Sequence, residues 1–290
     1  MAPPLPTCYL NGTYLPLAEA RISPLDRGFL YADGAYELMP VYGGRPFRFE
    51  AHCSRLTRSL AELRMQDPHG RAEWREILGG LVTRNGGGQM YVYWQVTRGA
   101  ENGRNHAPLP DTPRTVFAFC APLPLPAPAT LEQGAACITT ADTRWARCDI
   151  KSVALLANVL LRQLAVDAGA AETILLRDGL LTEASASAVH VVRGGVVHTP
   201  PNNRQILPGT TRSLLEELAE RIGLPYRSAT VTEAELRSAE EIWLSAATRE
   251  VEAVTRLDGR PVGAGKPGPL WRRIHQEFQR YKQEVAGQPW

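Results

Sequence analysis

A chain of 290 residues with 44% hydrophobic side chains can build a large core, and at roughly 100 to 200 residues per domain its length points to two domains. Its 32 basic and 30 acidic residues leave a formal charge of +2 with no block of like charges, so nothing offers an electrostatic grip on nucleic acid or membrane, and a small-molecule partner is expected. Cys8, Cys53, Cys120, Cys137 and Cys148 form neither a CxxC pair nor a disulfide framework, no apolar run of about 18 residues occurs, and the start MAPPLPTCYLNG lacks a leader's basic-then-apolar layout. These features argue against secretion and membrane spanning and favour a reducing cytoplasm, and no bound metal is expected.

In chain order, CYL-NG-TYL reads as a hairpin on an Asn-Gly turn, and AYELMPVY-GG-RPFRF as two strand-like runs joined by Gly43 and Gly44. FEAHCSRLTRSLAELRM places Phe49, Leu56, Leu60 and Leu63 on one helical face, and RAEWREILGGLVTRNG is a second amphipathic helix. The strands QMYVYWQVT and TVFAFCA complete an α+β unit. APLPLPAPAT, with four prolines, can continue neither a ladder nor a helix and marks a boundary. The expected division is an N-terminal α+β domain over 1–120, a linker over 121–130 and a β-rich C-terminal domain over 131–290. The latter holds the strand ACITT, the helix ALLANVLLRQLAVDAG, short strands around Asp178-Gly179 and Gly194-Gly195, and the helix TRSLLEELAERIG. A capping box at Thr232 and Glu235, the strand EIWLSAA and an amphipathic tail from Pro269 follow.

Arginine is the chain's ordinary cation: of the 32 basic residues only Lys151, Lys266 and Lys282 are lysine. An ammonium can lose its proton near neutrality and attack a carbonyl, whereas a guanidinium stays protonated. Lys151, in RWARCDIKS just before an apolar helix, is therefore a candidate for amine chemistry, since partial desolvation would free its lone pair. On composition alone a stray surface lysine explains it equally well.

An amine that holds a pyridoxal-phosphate (PLP) cofactor needs a phosphate cradle, a partner for the pyridine nitrogen and groups that orient the substrate. ILPGTTR supplies Gly209, Thr210 and Thr211 at a helix start, where free N–H groups and hydroxyls suit an anion, although an ordinary N-cap explains the fragment too. Glu183 in LLTEASASAV could face a pyridinium, or be a solvated charge. Arg55 could reach a phosphate, or form a surface ion pair. Tyr36, Arg104 and His106 could bind a carboxylate through a planar fork and neutral donors, or be a core tyrosine and a polar loop.

These pieces occur together in an order that resembles the fold type IV PLP enzymes, and within them the D-amino acid aminotransferases. The resemblance runs from about Tyr9 to the tail and rests on LDRGFLYADGAYELMPVYGG, QVTRG, RWARCDIKS, LLTEASAS, ILPGTTR and EIWLSAATREV, with RCDIKS and Arg104-Asn105-His106 its most specific parts. It implies a two-domain α+β and α/β architecture with a smaller N-terminal domain. It also implies PLP as cofactor, with Lys151 the Schiff-base lysine and acid/base group, Glu183 the partner of the pyridine nitrogen, and Leu207 beneath the ring. Arg55, Gly209, Thr210 and Thr211 would hold the phosphate together with the loop at Ala247 and Thr248, while Tyr36, Arg104 and His106 would trap the substrate carboxylate. The implied reaction is ping-pong transamination of D-alanine and D-glutamate type substrates with 2-oxoglutarate or pyruvate. The implied assembly is a homodimer in which Arg104 and His106 reach the partner's site.

Two positions depart from the pattern. Ala246-Ala247 stand where a phosphate-binding Ser or Thr is usual, and Ala188 stands where relatives carry Asn, so weaker cofactor binding is expected. Branched-chain L-aminotransferases, (R)-amine transaminases and aminodeoxychorismate lyases share the implied fold; Arg104 and His106 argue against the first two, and pyruvate release without an acceptor would mark the third. A PLP-binding protein with little catalysis is the reading from another class.

Overall fold

The computed structural model describes residues 3–124, 126 and 128–286. Leu125 and Ala127 of the expected linker, and residues 1–2 and 287–290 of the expected domains, lie outside the described residues. The chain divides into two units, one of Met1–Pro124, Ile150–Leu155 and Lys282–Trp290, the other of Leu125–Asp149 and Leu156–Tyr281. This corrects the expected division where it matters most, because the segment carrying Lys151 belongs with the first unit. The division does fall inside the expected proline-rich stretch, between Pro124 and Leu125, with a strand running through Pro122 and a short helix starting at Pro128, a position where the missing N–H costs nothing.

The first unit contains β1 (Thr7–Leu10), β2 (Thr13–Pro16), α1 (Arg27–Tyr31), β3 (Gly34–Tyr42), β4 (Arg45–Pro46), α2 (Phe49–Glu62), α3 (Arg71–Arg84), β5 (Met90–Thr97) and β6 (Thr115–Pro122). Its strands form an antiparallel sheet in the order β2-β1-β6-β5-β3-β4. The Asn-Gly turn forms as expected, with both residues at positive φ, 47° for Asn11 and 97° for Gly12. One sheet face supplies Met39, Val92, Trp94 and Ala118 to a core that includes Phe49, Leu56 and Leu60 of α2 and Trp74, Leu78 and Leu81 of α3. The alternate residues, Tyr36, Tyr91, Tyr93, Phe117 and Phe119, line the other face half-buried.

The second unit contains α4 (Pro128–Gln133), β7 (Ala135–Ala141), α5 (Leu156–Asp167), β8 (Glu172–Arg177), β9 (Leu180–Ala184), β10 (Ala188–Arg193), β11 (Val196–Thr199), α6 (Thr210–Arg221), β12 (Tyr226–Ser228), α7 (Glu233–Arg237), β13 (Glu241–Ala246), β14 (Glu250–Leu257), β15 (Arg260–Pro261) and α8 (Pro269–Ala286), the last of which passes to the first unit at Lys282. Its mixed sheet runs β12-β11-β10-β13-β14-β7-β8-β9, with β15 on β14 and parallel pairs at β11–β12, β14–β7 and β7–β8. The capping box forms: Thr232 Oγ1 accepts from the Glu235 N–H at 3.3 Å and Glu235 Oε2 from the Thr232 N–H at 2.7 Å. Glu183 lies within β9, and it is buried rather than solvated.

Candidate active site

Each unit carries its own set of the expected residues. In the first, Lys151 extends the edge of β3: the Tyr36 N–H donates to the Lys151 carbonyl at 3.0 Å, the Val153 N–H donates to the Gly34 carbonyl at 3.0 Å, and Ser152 bridges Ala35. The Lys151 N–H donates to Ser59 Oγ of α2 at 3.2 Å. Gly34 is required because a Cβ there would stand 2.8 Å from the Val96 carbonyl oxygen. The Lys151 backbone is thus fixed by strand and helix together, while its ammonium lies 4.2 Å from the centre of the Tyr36 ring. The described neighbour of the amine within its own unit is an aromatic face.

Tyr36 stacks on Tyr93 with ring centres 5.4 Å apart, and the Tyr93 hydroxyl donates to Gln95 Oε1 at 2.8 Å. Burial and the neighbouring Tyr36 raise the Tyr93 pKa, which keeps it a neutral donor. Arg55 is buried and forked onto Glu37, Nε to Oε1 at 2.7 Å and Nη2 to Oε2 at 2.8 Å. His52 Nδ1 lies 2.7 Å from Glu37 Oε2. Burial would raise the Glu37 pKa, but the charge and hydrogen bonds of Arg55, aided by His52, hold it at about 2. Burial lowers the His52 pKa against the pull of Glu37, so His52 donates to the carboxylate as a neutral ring. Arg55 is therefore not a surface ion pair but one arm of a buried, oriented triad.

The residues of the expected carboxylate trio have different described neighbours. Tyr36 stands with Lys151 and Tyr93, whereas Arg104 and His106 sit on an exposed loop beside Tyr31, the Arg104 guanidinium 5.0 Å and the His106 ring 5.5 Å from the centre of its ring.

In the second unit, Glu183 is 8% exposed and takes a short hydrogen bond from Arg144 Nη1, while the Leu207 N–H lies 3.3 and 3.2 Å from its two oxygens. Arg144 is fixed in turn: Nε and Nη2 reach the two oxygens of Asp142 at 2.9 and 2.8 Å, and Nη2 also reaches the Gln205 carbonyl at 3.1 Å. Burial pushes the Glu183 carboxyl up, and the Arg144 cation and the Leu207 N–H oppose that rise. The Leu207 backbone is thereby placed against Glu183. Two residues on, Gly209 precedes α6 in an extended conformation and offers no side-chain cap, and Thr210 and Thr211 begin the helix buried. Ala246 ends β13, with Ala247 and Thr248 in the turn that follows, where the Arg249 N–H donates to the Ala246 carbonyl at 3.1 Å. Neighbouring Ser245 does not replace the missing hydroxyl, because its Oγ lies 2.8 Å from Nε2 of buried His190. Ala188 begins β10 directly opposite Ser245.

Sequence reasoning assigns no role to Glu37, His52, Arg144, Arg27 or Tyr31. The available signals are a charge in register with Ala35, Met39 and Val41 on the core face of β3, His and Arg three apart on the facing helix, and the first arginine of RWARC.

Each unit's donors suit part of a phosphorylated pyridine aldehyde: an amine held by its backbone in the first, and in the second a buried carboxylate oriented by an arginine and a helix start with two hydroxyl side chains. Comparisons with known proteins agree. A family model described as amino-transferase class IV matches residues 34–257. The chain is 37% identical to a D-alanine aminotransferase of Staphylococcus aureus, covering 94% of this chain and 96% of that one, and 38% identical to a D-alanine aminotransferase of Bacillus licheniformis, covering 93% and 94%. Among solved structures, a branched-chain amino acid aminotransferase from T.th. with pyridoxamine 5'-phosphate superposes with a TM-score of 0.88 at 27% identity, covering 98% of this chain and 95% of that one.

Proposed function

Because this chain belongs to the amino-transferase class IV family, we propose that it is a PLP-dependent aminotransferase that moves the amino group of D-amino acids to 2-oxo acids, with Lys151 as its working amine. The observation that carries the reading is Lys151 itself: one of three lysines among 32 basic residues, anchored through its backbone with its amine left to the face of Tyr36.

Lys151, Glu183, Leu207, Gly209, Thr210, Thr211 and Arg55 would hold PLP, with the turn at Ala247 and Thr248 contributing backbone. When bound, the ring would supply an electron sink for the charge left when the substrate Cα loses its proton. Lys151 Nζ then takes that proton, Glu183 offers a carboxylate to the ring nitrogen, and Thr210 and Thr211 anchor the phosphate from the helix start. Tyr36 and the pair Arg104 and His106 bind the substrate carboxylate. With that group fixed and the amine on one face, a single enantiomer presents its Cα hydrogen to the base. The second reading, a branched-chain L-amino acid substrate, is favoured by the 27% identical structural neighbour, itself a branched-chain amino acid aminotransferase. Initial rates on D-alanine, L-alanine and L-leucine with 2-oxoglutarate decide between them. D-alanine is expected to be turned over fastest, and a faster L substrate defeats the D assignment.

The working assembly is proposed to be a homodimer that brings Arg104 and His106 to the site of the second subunit. Its support is that Arg104 and His106 stand on an exposed loop against Tyr31 while Tyr36 packs with Tyr93 and Lys151, together with the apolar face of α5, where Leu156, Leu160 and Leu164 lie four apart and are 73%, 61% and 43% exposed. A solution mass of one chain contradicts it. A reducing cytoplasm is proposed as the setting, since all five cysteines are free and buried. Among the described residues no helix is long and apolar enough to cross a membrane.

A further inference from the structure

We infer that Arg27 is a positioning residue for substrate binding: it holds the loop bearing Arg104 and His106 in the shape that receives a carboxylate. The inference rests on the role proposed above for that pair.

Helix α1 is a single turn, so Arg27 and Tyr31, four apart, stand on one face. Arg27 is 4% exposed, yet its planar fork is spent on one loop and its own neighbourhood. Nε donates to Asp33 at 2.9 Å, Nη1 to Glu101 at 3.1 Å and to the Asn105 carbonyl at 2.6 Å, and Nη2 to the His106 carbonyl at 3.0 Å. Glu101 closes the same loop from its far side, since its Oε1 accepts from the Leu109 N–H at 2.9 Å and from Thr112 Oγ1 at 3.2 Å. Burial works against the Arg27 charge, but its hydrogen bonds to Asp33 and Glu101 outweigh it and keep the guanidinium protonated.

Two successive carbonyls, those of Asn105 and His106, are therefore gripped by a fixed cation, while the side chains of Arg104 and His106 remain exposed over the Tyr31 ring. That division of labour, with main chain held and side chains presented, is what a loop built to meet a ligand requires. Helix α1 is itself seated firmly. Asp26 Oδ1 caps the Gly28 N–H at 2.7 Å, and a Cβ on Gly28 would come within 2.3 Å of Thr97 Cγ2, so only glycine lets the turn lie this close to β5. Losing the fork would not remove a group that touches substrate. It would widen the range of positions the two recognition side chains sample.

The test uses the PLP-loaded enzyme and compares Arg27→Lys, Arg104→Met and the double variant. Arg27→Lys keeps a cation for Asp33 and Glu101, but one ammonium cannot fork onto both carbonyls. It is expected to raise the KM for D-alanine about tenfold, to change kcat much less, and to leave the PLP dissociation constant and Tm close to the parent's. In the double variant the two effects on KM should be less than additive, because Arg27 acts through the loop that Arg104 occupies. If Arg104→Met raises KM while Arg27→Lys matches the parent, the role of Arg27 is overturned. Equal losses in Tm, PLP affinity and kcat in Arg27→Lys, with additive effects in the double variant, overturn it as well by showing a fold defect only. If Arg104→Met leaves the KM for D-alanine unchanged, the carboxylate reading itself fails, and the inference with it.

Discussion

Lys151→Ala is expected to lower turnover of D-alanine by about three to four decades, the range an acid/base group that is also the anchoring nucleophile supplies. The substitution is a clean one. What fixes position 151 is its carbonyl to the Tyr36 N–H, its N–H to Ser59 Oγ and the adjoining bonds to β3, all of which alanine keeps. The side chain contributes a partly solvated contact with the Tyr36 ring, worth about 0.5 to 1 kcal/mol, too little to threaten the fold. Adding a small primary amine to the variant should restore part of the rate, because a free amine can take the Cα proton that Nζ no longer takes. Turnover within threefold or so of the parent's would contradict the role of Lys151.

Glu183→Gln should cost about two decades in kcat with PLP still bound, as expected for losing a charged partner while its shape remains. The amide oxygen can still accept from the Leu207 N–H, and Arg144 keeps Asp142, so the local frame survives. The parent enzyme should also show an acid limb in its pH profile. Because burial raises the Glu183 pKa, this carboxylate takes up a proton at a higher pH than an ordinary one, and activity should fall as pH drops through that point. Glu183→Gln should lack that limb, since it has no carboxyl to titrate. An unchanged kcat, or an unchanged acid limb in the variant, would show that Glu183 does not face the ring nitrogen.

Local patterns are legible where local chemistry decides structure. The Asn11-Gly12 turn, the apolar face of α2 and the capping box at Thr232 are each set by residues within four positions of one another, so periodicity and turn chemistry suffice. Sequence reading fails where distant charges meet. Arg55 and Glu37, or Arg144 and Glu183, each look solvated alone, and only folding shows that they neutralise one another out of water. The run LLTEASAS is short and rich in small residues, so the strand that holds Glu183 appears only through the pairing of β8 with β9. The grouping of Lys151 with the first unit depends on backbone bonds to β3, which leave no mark on side-chain composition. Arg104 and His106 stand out as a pair in the sequence, but the grip on their backbone comes from Arg27, one of 29 arginines and 78 residues before Asn105, and its bonds to the Asn105 and His106 carbonyls appear only in the fold.

With only three lysines in the chain, the covalent claim can be put to a direct test. Borohydride reduction of the PLP-loaded protein, followed by peptide mapping, should place a single phosphopyridoxyl group on Lys151. A group on Lys266 or Lys282 instead, or no group on any lysine, would contradict the account at its root.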